Sequence, residues 1–390
     1  MYGRFFAHNF PMECLETANG VYRILTPPGC ALRPGAYERL RRAAHSGADF
    51  LYPDIERVTP NGQARTVRRP PWSPDTLLSM NYLDGPVAVR RALMADLGAD
   101  AMRTPESRYA AVLLLTERAG RIRHVPEVLA RCEAAPPCTD TSVLERALKR
   151  RHIPARVEQG RVPGTFVVRD PVPVHTRLSC IVTACPGAGD ARRTLESIAC
   201  HTLWRHVELI VADNRPILAA TERYYAALSQ YEAARVLRDP AETSVARLMN
   251  RAAEMARGDA LLFLPAGTAV CGGDALTRML EVALRRHVGA VGGVEAAARG
   301  IIHNVRALDG AVMLRTARFF HTGGFDESFS KRGAVRAFTL LNPDRGAYNV
   351  VTPFAAFEKS GRERPDPLTE INKLRIADMQ SYAREETDAP

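Results

Sequence analysis

Residues 258–270 read "GDALLFLPAGTAV". Ala260 to Leu264 form a continuous apolar run, as in a strand covered on both faces. The run enters a turn of Pro265, Ala266, Gly267 and Thr268. The same rhythm repeats on either side. "LSCIVTA" (178–184) and "HVELIVADN" (206–214) are apolar runs with small or polar ends, and "RVL" (235–237) and "GAVGGV" (289–294) are shorter ones. Helical patterns separate them over 191–201, 216–234, 244–257 and 273–286. Ser244 fits an N-cap and Gly258 a helix stop. Strand and helix in alternation predict an α/β domain with a mostly parallel sheet and helices on both faces. Such sheets bind ligands at the carboxyl ends of their strands. That rule places Thr183 and Ala184, Asp213 and Asn214, and Pro265 to Thr268 along one rim.

The first 135 residues carry part of the same pattern. "GVYRILTPPG" and "DFLYPDIERV" read as strands around a helical stretch, and "LTPPG" (25–29) parallels "LPAGT" (264–268). The expected division is a smaller α/β domain over 1–135, a helix and strand connector over 136–176, the regular domain over 177–362 and a polar tail over 363–390. A chain of 390 residues suffices for two cores. With 46% hydrophobic and 25% charged residues, the composition is that of an ordinary soluble protein. The formal net charge of +10 includes scattered arginine pairs, which read as solvated helix faces or, alternatively, as attraction to an anionic partner such as a membrane surface or a nucleotide; without interleaved aromatics they support nucleic-acid binding only weakly. None of the eight cysteines forms a C-x-x-C pair, and no His cluster has zinc-ligand spacing, so they read as buried, reduced thiols. The N-terminus lacks the apolar core of a signal peptide. No run reaches the roughly 18–20 apolar residues of a bilayer span. The expected location is therefore cytoplasmic, at most peripheral at an inner membrane.

The regular domain resembles the family-2 glycosyltransferases of the GT-A fold. The resemblance rests on "LSCIVTACPG" (178–187), "TLESIACHT" (194–202), "VELIVADN" (207–214), "SVARLMNRAAEMARGDALLFL" (244–264), "GAVMLRTARFFHTGGFDESF" (310–329) and "GAYNVVTPFAAF" (346–357). In the first domain "DFLYPDIERVTPNGQ" (49–63), "PPWSPDTLLSMNY" (70–82) and "LLTERAGRIRHVPEVL" (114–129) look like segments of the tandem-domain members that build bacterial surface polysaccharides. That domain starts mid-pattern and reads as a truncated copy. The resemblance implies a GT-A-like (Rossmann-like) α/β fold and sugar transfer from a nucleotide-sugar donor to a cell-envelope glycan or lipid-linked acceptor, alongside other glycosyltransferases. It implies a nucleotide site at Thr183, Ala184, Asp213, Asn214, Arg247 and Asn250. It further implies a donor region at Pro265, Ala266 and Gly267, and an acceptor side at Gly323, Gly324 and Asp326.

The chemistry departs from the family pattern. The family binds Mn or Mg through a strand-tip Asp-x-Asp, because hard cations need oxygen ligands. Here Pro265, Ala266 and Gly267 stand at that tip, so no metal or other cofactor is expected. The segment that carries the family's general base is "SKRGAVRAFTLLN" (330–342), without an acid, and "FEKSGRE" (357–363) lacks the terminal His. No catalytic residue is assigned. Asp54 and Glu56 read as solvated loop carboxylates, Asp326 as a turn residue, and Glu358 as an alternative candidate for the missing base. Three readings follow: an active transferase, a binding or scaffolding relative that has lost catalysis, and a metal-independent enzyme using Arg247 or Arg336 for the diphosphate.

Overall fold

The computed structural model describes residues 14–359 except 96, 99, 186–187, 217, 296–301, 329–332 and 343–345. The expected tail over 363–390 lies outside the described residues. The chain divides after Val168 into two compact units.

The first unit contains β1 (Cys14–Thr17), β2 (Gly20–Leu25), β3 (Cys30–Leu32), α1 (Ala36–Ala44), β4 (Phe50–Val58), β5 (Ala64–Val67), α2 (Pro74–Ser79), β6 (Val87–Arg90), α3 (Pro105–Arg118), β7 (Ile122–Glu133), α4 (Ser142–Arg150), β8 (Arg156–Gln159) and the start of β9 (Phe166–Arg169). Its seven-stranded sheet runs β1-β2-β6-β4-β7-β3, with β5 on β4. Phe50, Leu51, Tyr52 and Ile55 are fully buried along β4.

Two expectations fail in this unit. Asp54 is not a solvated loop carboxylate. It lies on β4, only 4% exposed, and its Oδ1 accepts from the Arg69 backbone N–H at 2.8 Å and pairs with His124 Nε2 at 2.8 Å. Glu56 is also engaged, with Arg33 at 2.8 Å and Arg131 at 3.6 Å. A buried carboxylate survives only with such partners. The cysteines are not all reduced: Cys30 and Cys132 form a disulfide. The antiparallel β3–β7 register sets them directly opposite each other, with Cα atoms 4.0 Å apart. Cys14 and Cys200 are exposed, while Cys138, Cys180 and Cys185 are buried thiols.

The second unit contains β10 (Leu178–Ala184), α5 (Ala191–His201), β11 (Val207–Asp213), α6 (Ala219–Leu228), β12 (Ala234–Arg238), α7 (Val245–Glu254), β13 (Ala260–Pro265), β14 (Thr268–Cys271), α8 (Ala275–Ala283), β15 (Val288–Val294), β16 (His303–Val305), β17 (Val312–Arg315), α9 (Thr316–His321), α10 (Gly333–Leu340) and β18 (Tyr348–Lys359). Its nine-stranded sheet runs β12-β11-β10-β13-β17-β15-β18-β14, with β16 on β18. The β12-β11-β10-β13 half is wholly parallel. The other half adds antiparallel neighbours through β17, β16 and β14.

The helix expected over 216–234 runs only from Ala219 to Leu228. The backbone then turns through Ser229 to Tyr231 so that β12 can begin at Ala234. Ser244 caps α7 as expected, accepting from the Arg247 backbone N–H. Gly258 has a different role from the helix stop assigned to it. A Cβ there would lie 2.4 Å from Ser179 Oγ, and the Gly258 N–H donates to that oxygen at 2.9 Å.

Two apolar layers sandwich the parallel strands. Cys180, Val182, Leu262 and Leu264 face one layer, and Ile181, Leu261 and Phe263 face the other. The alternation of these neighbours explains why both strands read as unbroken apolar runs. Among the described residues no helix is long and apolar enough to cross a membrane. Leu262 is fully buried at the centre of the sheet. Leu262→Ala should destabilise the second unit by about 2–5 kcal/mol through lost transfer energy and a residual cavity. Denaturant unfolding of the full chain, followed with a probe in that unit, checks the value.

Candidate nucleotide-sugar site

In the second unit the strand order reverses at β10, with β11 and β12 on one side and β13 on the other. Such a switch opens a crevice beyond the carboxyl ends of the strands. A cavity of about 390 Å³ lies there. Thr183, Cys185 and Gly189 line it from the end of β10, and residues 263–268 from β13 and its turn. Val245 and Met249 of α7, Val335 of α10, the Asp309–Gly310 loop and Lys359 complete the wall.

A backbone lock shapes the tip of β13. The Ala266 N–H donates to Thr183 O at 2.9 Å, Gly189 N–H to Ala266 O at 3.0 Å, and Gly267 N–H to Asp190 O at 3.1 Å. Gly267 has φ +89°, which favours glycine. A Cβ on Gly189 would stand 2.7 Å from the Gly267 Cα, so two glycines are needed for this contact. Thr183 is 7% exposed, and its Oγ1, in the cavity wall, makes no hydrogen bond among the described residues.

The structure brings together only part of the residue set implied by the resemblance. Thr183, Pro265, Ala266 and Gly267 line the cavity. Ala184 is buried in the ladder opposite Asp213. Asp213 is 1% exposed and its carboxylate is filled. Oδ1 accepts from the Arg215 backbone N–H at 2.8 Å and from Arg215 Nε at 3.1 Å, and Oδ2 accepts from Arg215 Nη2 at 2.9 Å and Tyr225 Oη at 2.7 Å. Burial alone would raise this carboxyl, but the Arg215 and Tyr225 hydrogen bonds outweigh it and hold the group below the usual carboxylate range. Asn214 Nδ2 donates to Glu242 O at 2.8 Å.

Arg247 does not face the cavity. Its exposed guanidinium pairs with Glu327 at 3.0 Å and Glu242 at 3.6 Å. Asn250 clamps the acceptor-side loop, accepting from Phe325 N–H and donating to Phe325 O, both at 2.9 Å. Gly324 makes room for that clamp, since a Cβ there would lie 2.9 Å from Asn250 Oδ1. Gly323 has φ +86° in the same turn, and Asp326 is exposed and accepts from Ser328 N–H at 2.9 Å. Glu358 reaches Arg193 on α5 at 3.3 Å and is absent from the wall, as is Arg336.

Among the wall residues that sequence reasoning missed are the two charged ones described, Asp309 and Lys359. Asp309 is exposed, and its Oδ1 accepts from the Gly310 N–H at 2.8 Å. Lys359 stands opposite Thr268 in the β14–β18 register and donates to Glu295. Asp309 lies in a loop outside the quoted motifs, and Lys359 lies at the end of an edge pairing in a segment notable in the sequence only for its missing His. A divalent cation requires several converging oxygen ligands. The tip supplies Pro265, Ala266 and Gly267, and Asp309 is the sole carboxylate among the described wall residues. No group of three or more His, Cys, Asp or Glu gathers among the described residues. These residues do not fit a carboxylate-held metal.

The Glycosyl transferase family 2 model matches residues 179–342, which contain the parallel strands and most of this cavity. Residues 179–342 form a family-2 glycosyltransferase domain. The chain is 27% identical over 304 residues to the uncharacterized protein y4gI of Sinorhizobium fredii, covering 72% of this chain and 33% of that one. It is 27% identical over 259 residues to the O-antigen biosynthesis protein RfbC of Myxococcus xanthus, covering 62% of this chain and 20% of that one. The chain thus spans a third or less of these curated relatives. A solved mannosyltransferase from Pyrobaculum calidifontis, in complex with GDP-Man and Mn2+, aligns with a TM-score of 0.43 and 16% identity, over 57% of this chain and 68% of that one.

Two predictions follow from this glycosyltransferase domain. Gly267→Asp should not restore a metal site. The side chain would be strained at φ +89° and would meet Gly189, at a cost of about 1–3 kcal/mol from the backbone alone. A lowered melting temperature with no manganese binding by calorimetry is expected. A carboxyl lowered in the folded state stabilises above its unfolded pKa of about 3.9 and loses that contribution as pH falls through the folded value. Asp213→Asn should therefore flatten the acid limb of the stability–pH curve, measured by urea unfolding between about pH 5 and pH 3.

Proposed function

We propose that the second unit transfers a sugar from a nucleotide-sugar donor to a cell-envelope glycan of the O-antigen type. The family-2 match over 179–342 supports the reaction class, and the name of the Myxococcus relative supports the acceptor class. The observation that carries the reading is the cavity at the carboxyl ends of β10 and β13, the place where a parallel sheet receives a nucleotide. The 390 Å³ volume falls within the range of small-ligand clefts.

Asp309 is the one carboxylate among the described wall residues and takes the role of general base. The acceptor hydroxyl attacks the anomeric carbon of the donor, and its proton passes to the Asp309 carboxylate. The bond from that carbon to the phosphate oxygen breaks, and the nucleoside diphosphate leaves with the electron pair. Positioned proton transfer of this kind contributes about a hundred- to ten-thousandfold in rate.

Asp309→Asn should lower turnover by about that factor while leaving donor affinity within about twofold. The assay is release of nucleoside diphosphate from a panel of UDP- and GDP-sugars, with an envelope-glycan extract as acceptor. Unchanged turnover in the variant would remove Asp309 from the mechanism. Absence of any donor binding by the wild type would remove the transferase reading of this cavity.

A further inference from the structure

We propose that the Lys359 ammonium is the diphosphate-binding cation of the strand-tip cavity and does the electrostatic work that a divalent metal would otherwise do. The inference rests on the donor-site reading given above. A leaving nucleoside diphosphate must have its growing negative charge met by something fixed nearby. Carboxylate-held metal is one solution, and the ligands at this tip do not provide it. The cations suggested by sequence reasoning, Arg247 and Arg336, are both outside the wall. Lys359 is the one cationic side chain among the described wall residues.

The placement of Lys359 is constrained. Its backbone pairs with Thr268, the residue after the Gly267 turn, so the β14–β18 ladder fixes it beside the strand tip. Side chains alternate across a strand. Glu358 accordingly reaches Arg193 on α5 while Lys359 enters the cavity wall. Its Nζ would lie 3.9 Å from a Cβ on Gly310, which places it against the same loop as Asp309. The side chain is 41% exposed, so the ammonium is open to a ligand. It donates to Glu295, and an ammonium has three N–H groups. One can stay on Glu295 while the others reach phosphate oxygens. Glu295 then acts as a tether, holding the ammonium at the mouth before the diphosphate arrives.

The test is calorimetry on the full chain with UDP, GDP and the nucleosides uridine and guanosine, in EDTA and again in excess magnesium or manganese. The wild type should bind at least one nucleoside diphosphate in EDTA, and added metal should change its Kd by less than about threefold. Lys359→Ala should weaken that diphosphate by roughly ten- to a hundredfold, the loss of one charge-assisted hydrogen bond. Its nucleoside should bind as before, which also shows that the cavity is folded. Lys359→Arg should recover most of the loss. A tenfold or greater gain on adding metal to the wild type would overturn the proposal, as would unchanged diphosphate affinity in Lys359→Ala. If neither nucleosides nor diphosphates bind the wild type at millimolar concentration, the donor-site reading itself falls and takes this inference with it. If nucleosides bind and diphosphates gain nothing over them in EDTA, the donor reading stands and the Lys359 inference alone fails.

Discussion

Gly189 and Gly267 meet backbone to backbone at the end of the parallel sheet, and the cavity takes its form from that contact. The paired hydrogen bonds between 189–190 and 266–267 join the loop after β10 to the turn after β13. The Gly267 N–H also reaches Thr194 Oγ1 at 2.9 Å, which ties the turn to α5. The lock positions β14, and β14 in turn sets the register of β18 and the place of Lys359. A side chain on either glycine would force the two segments apart, so the tip cannot be remodelled one residue at a time. The missing carboxylates are therefore part of a consistent local design. The turn closes on itself through its backbone, and the charged side chains among the described wall residues, Asp309 and Lys359, stand on neighbouring elements.

The arginine at the end of β11 shows a similar economy. Asp213 stands where a strand-end carboxylate can meet a ligand, yet Arg215 and Tyr225 satisfy every one of its near lone pairs. Arg215 Nη1 also reaches Gly189 O at 3.3 Å. The carboxylate thus extends the backbone lock sideways from β10 to β11. Any ligand that engaged Asp213 would have to displace an ion pair in a site that is 1% exposed, and breaking such a pair leaves a buried charge uncompensated. Recognition at the exposed wall of the cavity meets no such cost. This difference is why the site is assigned to the wall residues and not to the strand-end acid.

The parallel strands were legible in the sequence because burial on both faces leaves a local record, an unbroken apolar run at 178–184 and again at 260–264. Helix ends were less legible: α6 stops at Leu228 because β12 needs a turn before it, and that demand comes from the sheet. Residues defined by distant partners left no local record at all. Asp54 is buried because Arg69 and His124 come to it from other segments, and "YPDIE" alone reads as a polar loop. Cys30 and Cys132 are 102 residues apart and meet only through the β3–β7 register. Gly258 reads as a helix stop, although the constraint is Ser179 across the sheet. The motifs carried the strand ends of the site, whereas its two charged wall residues depended on a loop and on an edge pairing.

A lysine in the wall changes the electrostatics of the cavity in kind as well as in degree. A divalent ion brings two charges and fills its coordination shell from several directions, so it holds a diphosphate in a defined geometry. An ammonium is a single, strongly hydrated point charge on a flexible stem. Its orientation must come from elsewhere, and here the β18 ladder and Glu295 supply it. The same carboxylate that orients Lys359 also offsets part of its charge. The wall carries Asp309 as well, so the described groups give the cavity no net positive charge before a donor enters. A donor diphosphate would then be held by directed hydrogen bonds from Lys359 more than by a general positive field, and the arginine-rich surface of the chain would add little at the reacting centre, because exposed charges beyond roughly 10 Å are screened by salt.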